Sequence, residues 1–286
     1  MIAERLCDGF GLIEGPVWAQ GRGLYFSDVI FGGVFCLEPS GAITTTFEHR
    51  RGIGGMALHD AGGLVVTGRN LGFKPFDGSD SSTIFDSDPD NGRVGFNDIT
   101  TDATGRIYAG SLGSSPVFED GRAPLAGNLY MIDLSGEAQI VAEDILLTNG
   151  LGFSPDGKTL YHSDSRRHTV FSYVVHSDGT LGPKTPFIKP KQGLPDGLVV
   201  SEDGAIWVAL ADGGAGVAVY GADGKERNFI GISAPMCTSV CFGGDDRRDL
   251  YIVSGSQGSD NERAGSVFRV RTEVAGLDVA NARVKV

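Results

Sequence analysis

SPDGKTLYHSD, residues 154–164, reads as a tight turn followed by a short strand. Pro-Asp-Gly supplies the turn, because Pro presets φ and Gly adopts the left-handed conformation that closes it. Five other stretches repeat the phrase: GRGLYFSD (21–28), DAGGLVVTG (60–68), DATGRIYAG (102–110), SEDGAIWVAL (201–210) and GGDDRRDLYIVSG (243–255). The aligned apolar residues are Leu24, Leu64, Ile107, Leu160, Ile206 and Leu250, in steps of 40, 43, 53, 46 and 44 residues. A self-similar unit of roughly 45 residues made of short strands is the length of one propeller blade. Six units predict an all-β chain: one six-bladed β-propeller domain over residues 1–286, with four-stranded antiparallel blades around a central channel.

The flanks of each copy agree. Another short apolar stretch precedes each one: EGPVWA (14–19), GGMALH (54–59), NDITTD (97–102), NGLGFSP (149–155), DGLVVS (196–201) and TSVCFG (238–243). Most are followed by a third strand-like unit, from GGVFCLEPSG (32–41) to GSVFRVRT (265–272), bounded by Gly or Asp-Gly turns. The last unit has no inner strand after it, so it is expected to pack beside N-terminal residues and close the ring, which removes a free sheet edge. Longer insertions are expected at about 68–92, 111–127 and 254–264, as loops on the faces. Helical periodicity is absent over more than two turns. The Trp-Asp pair of WD40 blades is missing, since Ala19 follows Trp18 and Val208 follows Trp207.

Composition narrows the function classes. Gly makes up 44 of 286 residues, scattered as many turns require. A net charge of −12 excludes nucleic acid as a partner, because phosphate binding needs a basic face. The N-terminal MIAERLCDGFGL has no basic region followed by an apolar run, so neither a leader nor a membrane span is expected and the cytoplasm is the expected location. Cys7, Cys36, Cys237 and Cys241 are too sparse for a disulfide framework and read as buried thiols. Cys237 and Cys241, four apart in an alternating stretch, are expected to share a strand face. The oligomeric state is left open.

The repeat also locates chemistry. Ten residues before Leu24, Leu64, Ile107 and Ile206 stand Glu14, Gly54, Asn97 and Asp196. The turn before Leu160 is one residue longer, which gives Asn149; that before Leu250 is longer still and gives Thr238 or Ser239. Innermost propeller strands all begin at one end of the channel, so these side chains converge. Glu14, Asn97, Asn149 and Asp196 form an all-oxygen set with two negative charges, the donor chemistry of one hard divalent cation. Ca²⁺ comes first, with Mg²⁺ and Mn²⁺ as alternatives; Zn²⁺ prefers His or Cys, although oxygen ligands do not forbid it. Singly, each residue has a plainer reading: Asn149-Gly150 and Pro195-Asp196-Gly197 are turn signatures, and Glu14 could be merely solvated. Their repeat-equivalent positions favour the metal. Rival sites are poor, with no G-x-S-x-G and no H-E-x-x-H. DSDPDNG (86–92) departs from a calcium loop in its Gly and Glu positions and reads as a solvated loop.

At these residues the chain resembles the SMP-30/gluconolactonase, or regucalcin-like, family. The likeness spans essentially the whole sequence and rests on EGPVW (14–18), the Asn-Asp pair before GRIYAGS (97–111), TNGLGFSPDGKTLYHSDS (148–165), PDGLVVSEDGAIWVA (195–209) and CTSVCFGG (237–244). The resemblance implies a six-bladed propeller, a divalent metal and hydrolysis of a small-molecule lactone. By position Glu14, Asn149 and Asp196 match the family's metal ligands, and Asn97 the residue beside the metal that binds it or the substrate. Asp196 also matches the acid usually given base or nucleophile duty. Many sugar lactonases of the family carry Arg two residues before this Asn; here that position is Gly95, with Arg93 two residues out of step. The departure argues against recognition of a polyol and for a less polar lactone, such as an alkyl or aryl one. Phe96 and Phe118, with Phe73 and Phe76, are candidates for an apolar substrate mouth, each equally readable as core cover. The expected activity is lactone opening by metal-activated water, with Asp196 taking the proton. The alternatives are a phosphotriester or other ester hydrolase at the same site, or a calcium- or ligand-binding propeller without turnover.

Overall fold

The computed structural model describes residues 2–48, 50–117 and 123–286. It holds β1 (Glu4–Phe10) and then a first blade of β2 (Ile13–Ala19), β3 (Gly23–Asp28), β4 (Val34–Leu37) and β5 (Ile43–Phe47). The second blade is β6 (Met56–His59), β7 (Gly63–Val66), β8 (Leu71–Pro75) and β9 (Ser82–Phe85). The third is β10 (Gly95–Thr101), β11 (Ile107–Leu112), β12 (Gly127–Ile132) and β13 (Ala138–Ile145). The fourth is β14 (Thr148–Phe153), β15 (Thr159–Asp164), β16 (Thr169–Val174) and β17 (Thr185–Ile188). The fifth is β18 (Leu194–Val200), β19 (Ile206–Ala211), β20 (Gly216–Tyr220) and β21 (Glu226–Gly231). The sixth is β22 (Met236–Gly243), β23 (Asp249–Gly255) and β24 (Gly265–Arg271), with β1 as its outermost strand. All pairings within the blades are antiparallel, so the chain is a six-bladed β-propeller. The β1–β24 pairing closes the ring as the unpaired last unit requires.

Burial explains which residues make which strand. The second strand of each blade is covered on both faces by neighbouring blades and reads as an apolar run; all six residues of β3 and of β19 are buried. Outer strands are solvated, which is why β5 is ITTTF and β13 is AQIVAEDI. Apolar side chains of adjacent blades interleave in six clusters, one per seam. Trp207, Val217 and Ile230 meet Val240, Ile252 and Phe268 between the fifth and sixth blades. Ala57, Val65 and Leu71 meet Phe96, Ile107 and Tyr130 between the second and third.

Two expectations are corrected. Residues 68–92 are not one long insertion, because β8 and β9 lie within them and complete the second blade. Their sequences, LGFKP and STIF, are too short and too mixed to announce themselves. Cys237 and Cys241 do not share a face. A bulge between Cys237 and Ser239 adds a residue to β22, and Cys237 packs in the fifth–sixth seam while Cys241 packs in the sixth–first. The loop expected around 254–264 does connect β23 to β24, and β11 ends at Leu112 with β12 beginning at Gly127, residues 118–122 between them lying outside the described ones. All four cysteines are free thiols. No helix among the described residues is long and apolar enough to cross a membrane.

The residues after β24 strap the far end of the channel, opposite the starts of the inner strands. Leu277 N–H donates to Val200 O, Ala282 N–H to Leu58 O, Arg283 N–H to Gly105 O and Lys285 N–H to Leu134 O. The strap thus ties the fifth blade to the second and third. Above it lies a cavity of about 1280 Å³ that reaches up the channel to Gly15 and Asp98.

Candidate functional site

Five of the six inner strands bulge where the repeat placed the polar residues. Pairing shifts between Glu14 and Val17, Phe96 and Ile99, Thr148 and Leu151, Pro195 and Leu198, and Cys237 and Ser239. In the third, fourth and fifth blades the bulge frees Asn97, Asn149 and Asp196, each with the residue after it, from the ladder; in the first Glu14 stays paired with Ser27 and Gly15 and Pro16 are freed, and in the sixth Thr238 is freed. The residue after the counted-back position is Gly15, Gly55, Gly150 or Gly197 in four blades. These glycines face the next inner strand at contact distance. A Cβ on Gly15 would stand 3.1 Å from Gly55 Cα, and one on Gly197 would collide with Ser239. In the third blade the same column holds Asp98, which fits because its neighbour is Gly55; a Cβ there would lie 2.5 Å from Asp98 Oδ1.

Hydroxyls at the ends of three second strands, and one on an inner strand, bind the ring together at this level. Ser27 Oγ donates to Ile53 O (2.7 Å), Thr67 Oγ1 to Asn97 O (2.6 Å), Ser165 Oγ to Pro195 O (2.6 Å), and Thr238 Oγ1 of β22 to Ile13 O (2.6 Å). Each bond crosses from one blade to the next. Asp28, after Ser27, and Asp164, before Ser165, hold the connections around them. Asp28 accepts from Gly11, Ile30 and Phe31 N–H, and Asp164 from Leu146 and Leu147 N–H. In the first blade Ser27 and Asp28 divide the work, the hydroxyl reaching forward and the carboxylate back to Gly11; in the fourth the forward hydroxyl is Ser165, one residue after Asp164, and Ser163 Oγ has no hydrogen-bond partner among the described residues.

The structure bonds Asn97 to Asn149 and sets Glu14 and Asp196 near each other and near Asp98. Asn97 Nδ2 donates to Asn149 Oδ1 and to Thr148 O, both at 2.7 Å, and Asn149 Nδ2 donates to Ser165 Oγ at 2.7 Å. Asn149 is therefore fixed by its nitrogen and turns its oxygen to the site, with one lone pair taken by Asn97. Asp196 is 5% exposed, and its Oδ1 has no hydrogen-bond partner. Glu14 lies in the field of Asp196 and of Asp98. Burial, then repulsion from Asp196 and Asp98, pushes Glu14 well above the usual carboxylate range. Burial and Asp98 do the same to Asp196. Burial lifts Asp98 to about 7. The channel is narrow enough to strip their water, although Glu14 and Asp98 keep some accessible surface.

Three carboxyls that repel one another, an orphaned buried oxygen and an anchored amide oxygen fit a divalent cation by charge and by donor type. The fit needs the amides, since among the described residues no three His, Cys, Asp or Glu side chains stand close enough to hold a metal alone.

Asp98 was not singled out from the sequence. Its signal was there: it is the one acid in a column that is glycine in four blades, at 15, 55, 150 and 197.

The aromatic candidates fare differently. Phe96 is 1% exposed and sits in the core against Phe85 and Tyr130, so its ring presents no surface to a ligand. Phe73 packs on His59, and Phe76 stacks on Tyr25 at the far end of the channel, away from the site. Phe118 lies outside the described residues. Arg93 does not substitute for a residue at 95, because its guanidinium lies over Phe85 and bonds Asp86 O and Tyr130 Oη. Gly95 has a local reason. A Cβ there would stand 2.7 Å from Gly68 O, where Gly68 and Phe96 exchange backbone hydrogen bonds.

The model of the SMP-30/gluconolactonase/LRE-like region matches residues 12–256. The chain belongs to this family. As a member it is 32% identical over 275 residues to the 6-deoxy-6-sulfogluconolactonase of Pseudomonas putida, with 92% of each chain covered. It is 29% identical over 280 residues to the pentonolactonase XacC of Haloferax volcanii, covering 92% of this chain and 91% of the other. A solved structure of regucalcin from Agrobacterium tumefaciens, described as a calcium-binding protein, superposes with a TM-score of 0.86 at 22% identity, over 99% of this chain and 97% of that one.

Proposed function

We propose that the protein is a divalent-metal-dependent lactonase, a carboxylic ester hydrolase acting at the mouth ringed by Glu14, Asn97, Asn149 and Asp196. The observation that carries the reading is the buried, unpartnered Asp196 Oδ1 within a cluster of mutually repelling carboxyls. Such a cluster is costly to keep unless a cation neutralises it. Two relatives that share about 30% of their residues with the chain over its length are named as lactonases.

Glu14, Asn149 and Asp196 would hold the cation, Ca²⁺ by the all-oxygen donor set, with Asn97 beside it. When bound, the ion would supply Lewis-acid polarisation of the lactone carbonyl and acidify a coordinated water. Asp196 takes the proton of the attacking water. Asn97, held from Thr148 O and Asn149 Oδ1, has its own Oδ1 uncommitted to those bonds and orients substrate or ion. The glycines at 15, 55, 150 and 197 keep the inner strands close enough for residues of four blades to act on one small ring. The four free cysteines suit a reducing compartment such as the cytoplasm.

Asp196→Asn and Glu14→Gln should each lower kcat for the best lactone at least about a hundredfold, the scale of losing a general base or a metal ligand. Circular dichroism should show both variants folded, because each substitution removes a repelling charge. Full lactone turnover by either variant would refute the assignment.

A further inference from the structure

Glu14 and Asp196 each offer an ion two like oxygens, so either end of the carboxylate serves. Asn149 is different. One end of its amide accepts and the other donates, and a reversed amide would set N–H groups against a cation. Asn149 is buried, so its orientation is set by protein groups.

Two backbone carbonyls decide that orientation. A carbonyl accepts and never donates, so Ser165 Oγ must give its proton to Pro195 O, 2.6 Å away. Its proton spent, Ser165 can act toward Asn149 only as an acceptor, and the Asn149 atom 2.7 Å from it is the nitrogen. The other side agrees. Thr148 O, again acceptor alone, takes a proton of Asn97 Nδ2 at 2.7 Å, and the second proton of that nitrogen meets Asn149 at its oxygen, also at 2.7 Å. A directed chain of bonds thus crosses the third, fourth and fifth blades. It ends on the residue immediately before Asp196.

Ser165 is itself held by its own backbone. It is buried, and it opens one turn of 3₁₀ helix, Ser165–Arg167. Asp164 caps that turn by accepting from Arg167 N–H (3.3 Å), and the same carboxylate accepts from Leu146 and Leu147 N–H. Ser165 N–H donates to Leu147 O (3.1 Å), and His168 ends the turn in the left-handed conformation, with φ of 52°. A hydroxyl on a backbone so braced is a fixed point against which an amide can be set.

The first blade shows what the fourth has gained. Val29 is the equivalent of Ser165: its N–H donates to Leu12 O, two residues before Glu14, as that of Ser165 donates to Leu147 O, two residues before Asn149. In the first blade the hydroxyl is two residues earlier, on Ser27, and bonds the backbone oxygens of Glu14 (3.1 Å) and Ile53 (2.7 Å). Where the inner strand offers a carboxylate, position 29 is apolar. Where it offers an amide, the same position carries the hydroxyl that tells one end of the amide from the other.

We infer that Ser165 is a positioning residue of the ion site: it keeps the oxygen of Asn149 toward the ion and ties that choice to the backbone beside Asp196. The inference rests on reading Asn149 as a metal ligand, and adds the residue that selects its liganding end. Groups that orient a ligand in this way carry about ten- to a hundredfold of metal affinity.

The test is titration calorimetry of chelator-stripped protein with Ca²⁺, in the absence of substrate. Ser165→Ala should raise the Kd about ten- to a hundredfold. Asn149→Asp supplies the control, because a carboxylate has no wrong end: in that background the addition of Ser165→Ala should raise the Kd less than about threefold. A serine that merely braces the seam would cost the same factor in both backgrounds, or would lower the melting temperature of stripped protein with the Kd unchanged; either result overturns the proposal. Ser165→Cys, similar in size with a weak donor and acceptor, serves if Ser165→Ala does not fold, and should raise the Kd when residue 149 is Asn and not when it is Asp. Lactone hydrolysis by the same samples keeps the two readings apart. Ca²⁺ binding with the expected pattern and no lactone opened sinks the lactonase reading and upholds the role of Ser165; hydrolysis with a Kd indifferent to Ser165→Ala does the reverse. Wild type that binds no divalent ion overturns both.

Discussion

Asp98, half-buried in the channel, and His162, fully buried, pull stability in opposite directions with pH. Burial raises Asp98 to about 7, above its unfolded value of roughly 4. Between those values the folded protein holds a proton that the unfolded chain has released, so stability falls as pH rises, by up to roughly 1.4 kcal/mol per pH unit for one proton. His162 is fully buried, and burial lowers it to about 3. Below its unfolded value of roughly 6.5 the unfolded chain takes a proton that the folded one refuses, so stability falls as pH falls. Over the shared window the two slopes oppose, and variants separate them. Cation-free Asp98→Asn should melt higher than wild type near pH 7 and lose the downward slope between about 4 and 7. His162→Gln should flatten the fall below about 6.5. Melts at stepped pH in chelator check both; parallel profiles for wild type and Asp98→Asn would contradict the burial of that charge. At this scale the sequence was readable where the repeat fixed a column. Glu14, Asn97, Asn149 and Asp196 came from counting back along six copies. Asp98 sat one residue further on, in a column that reads as turn glycine until the inner strands are seen to touch. Phe96 was misread because Asn97 faces the channel only through a bulge, and the residue before it is left to the core.

Among elements, the inner strands and the hydroxyl bonds between them set the geometry of the mouth. Thr238 is fully buried, and its hydroxyl reaches from β22 to Ile13 O, the residue before Glu14. Thr238→Val keeps the shape and removes the donor, leaving a buried carbonyl without it. A loss of about 1–3 kcal/mol is expected in urea unfolding, with kcat reduced as well because Glu14 loses its fixed neighbour. An unchanged midpoint would mean that apolar packing alone holds the first and sixth blades. Strand existence was legible for the second strands, whose apolar runs are covered on both faces. The third and fourth strands of the second blade were not, because LGFKP is five residues holding a Gly, a Lys and a Pro and STIF is only four residues long, so the Asp77-Gly78 turn between them reads as part of a loop. Bulges left no mark that a single sequence shows, so the faces of Cys237 and Cys241 were assigned by strict alternation and came out reversed for one of them.

For the whole molecule, six equal units leave a channel, and the ends of the chain finish it. The missing inner strand after Ser266 announced the closure by β1, since an unpaired edge is a liability. The strap over the far end was not announced, because its contacts with Val200, Leu58 and Gly105 are irregular backbone bonds without periodicity. The result is a cavity under the site that is crossed by the strap at one end, and a polar mouth at the other where carboxyls from the first, third and fifth blades converge. That convergence is unfavourable without a cation and chemically useful with one. The most direct test is lactone hydrolysis followed by acid release, using protein stripped with chelator and then given Ca²⁺, Mg²⁺, Mn²⁺ or Zn²⁺ in turn. The expected result is loss of acid release on stripping and its return with a divalent ion, Ca²⁺ first. Undiminished hydrolysis by fully stripped protein, or folded, ion-loaded protein that opens no lactone, would contradict it.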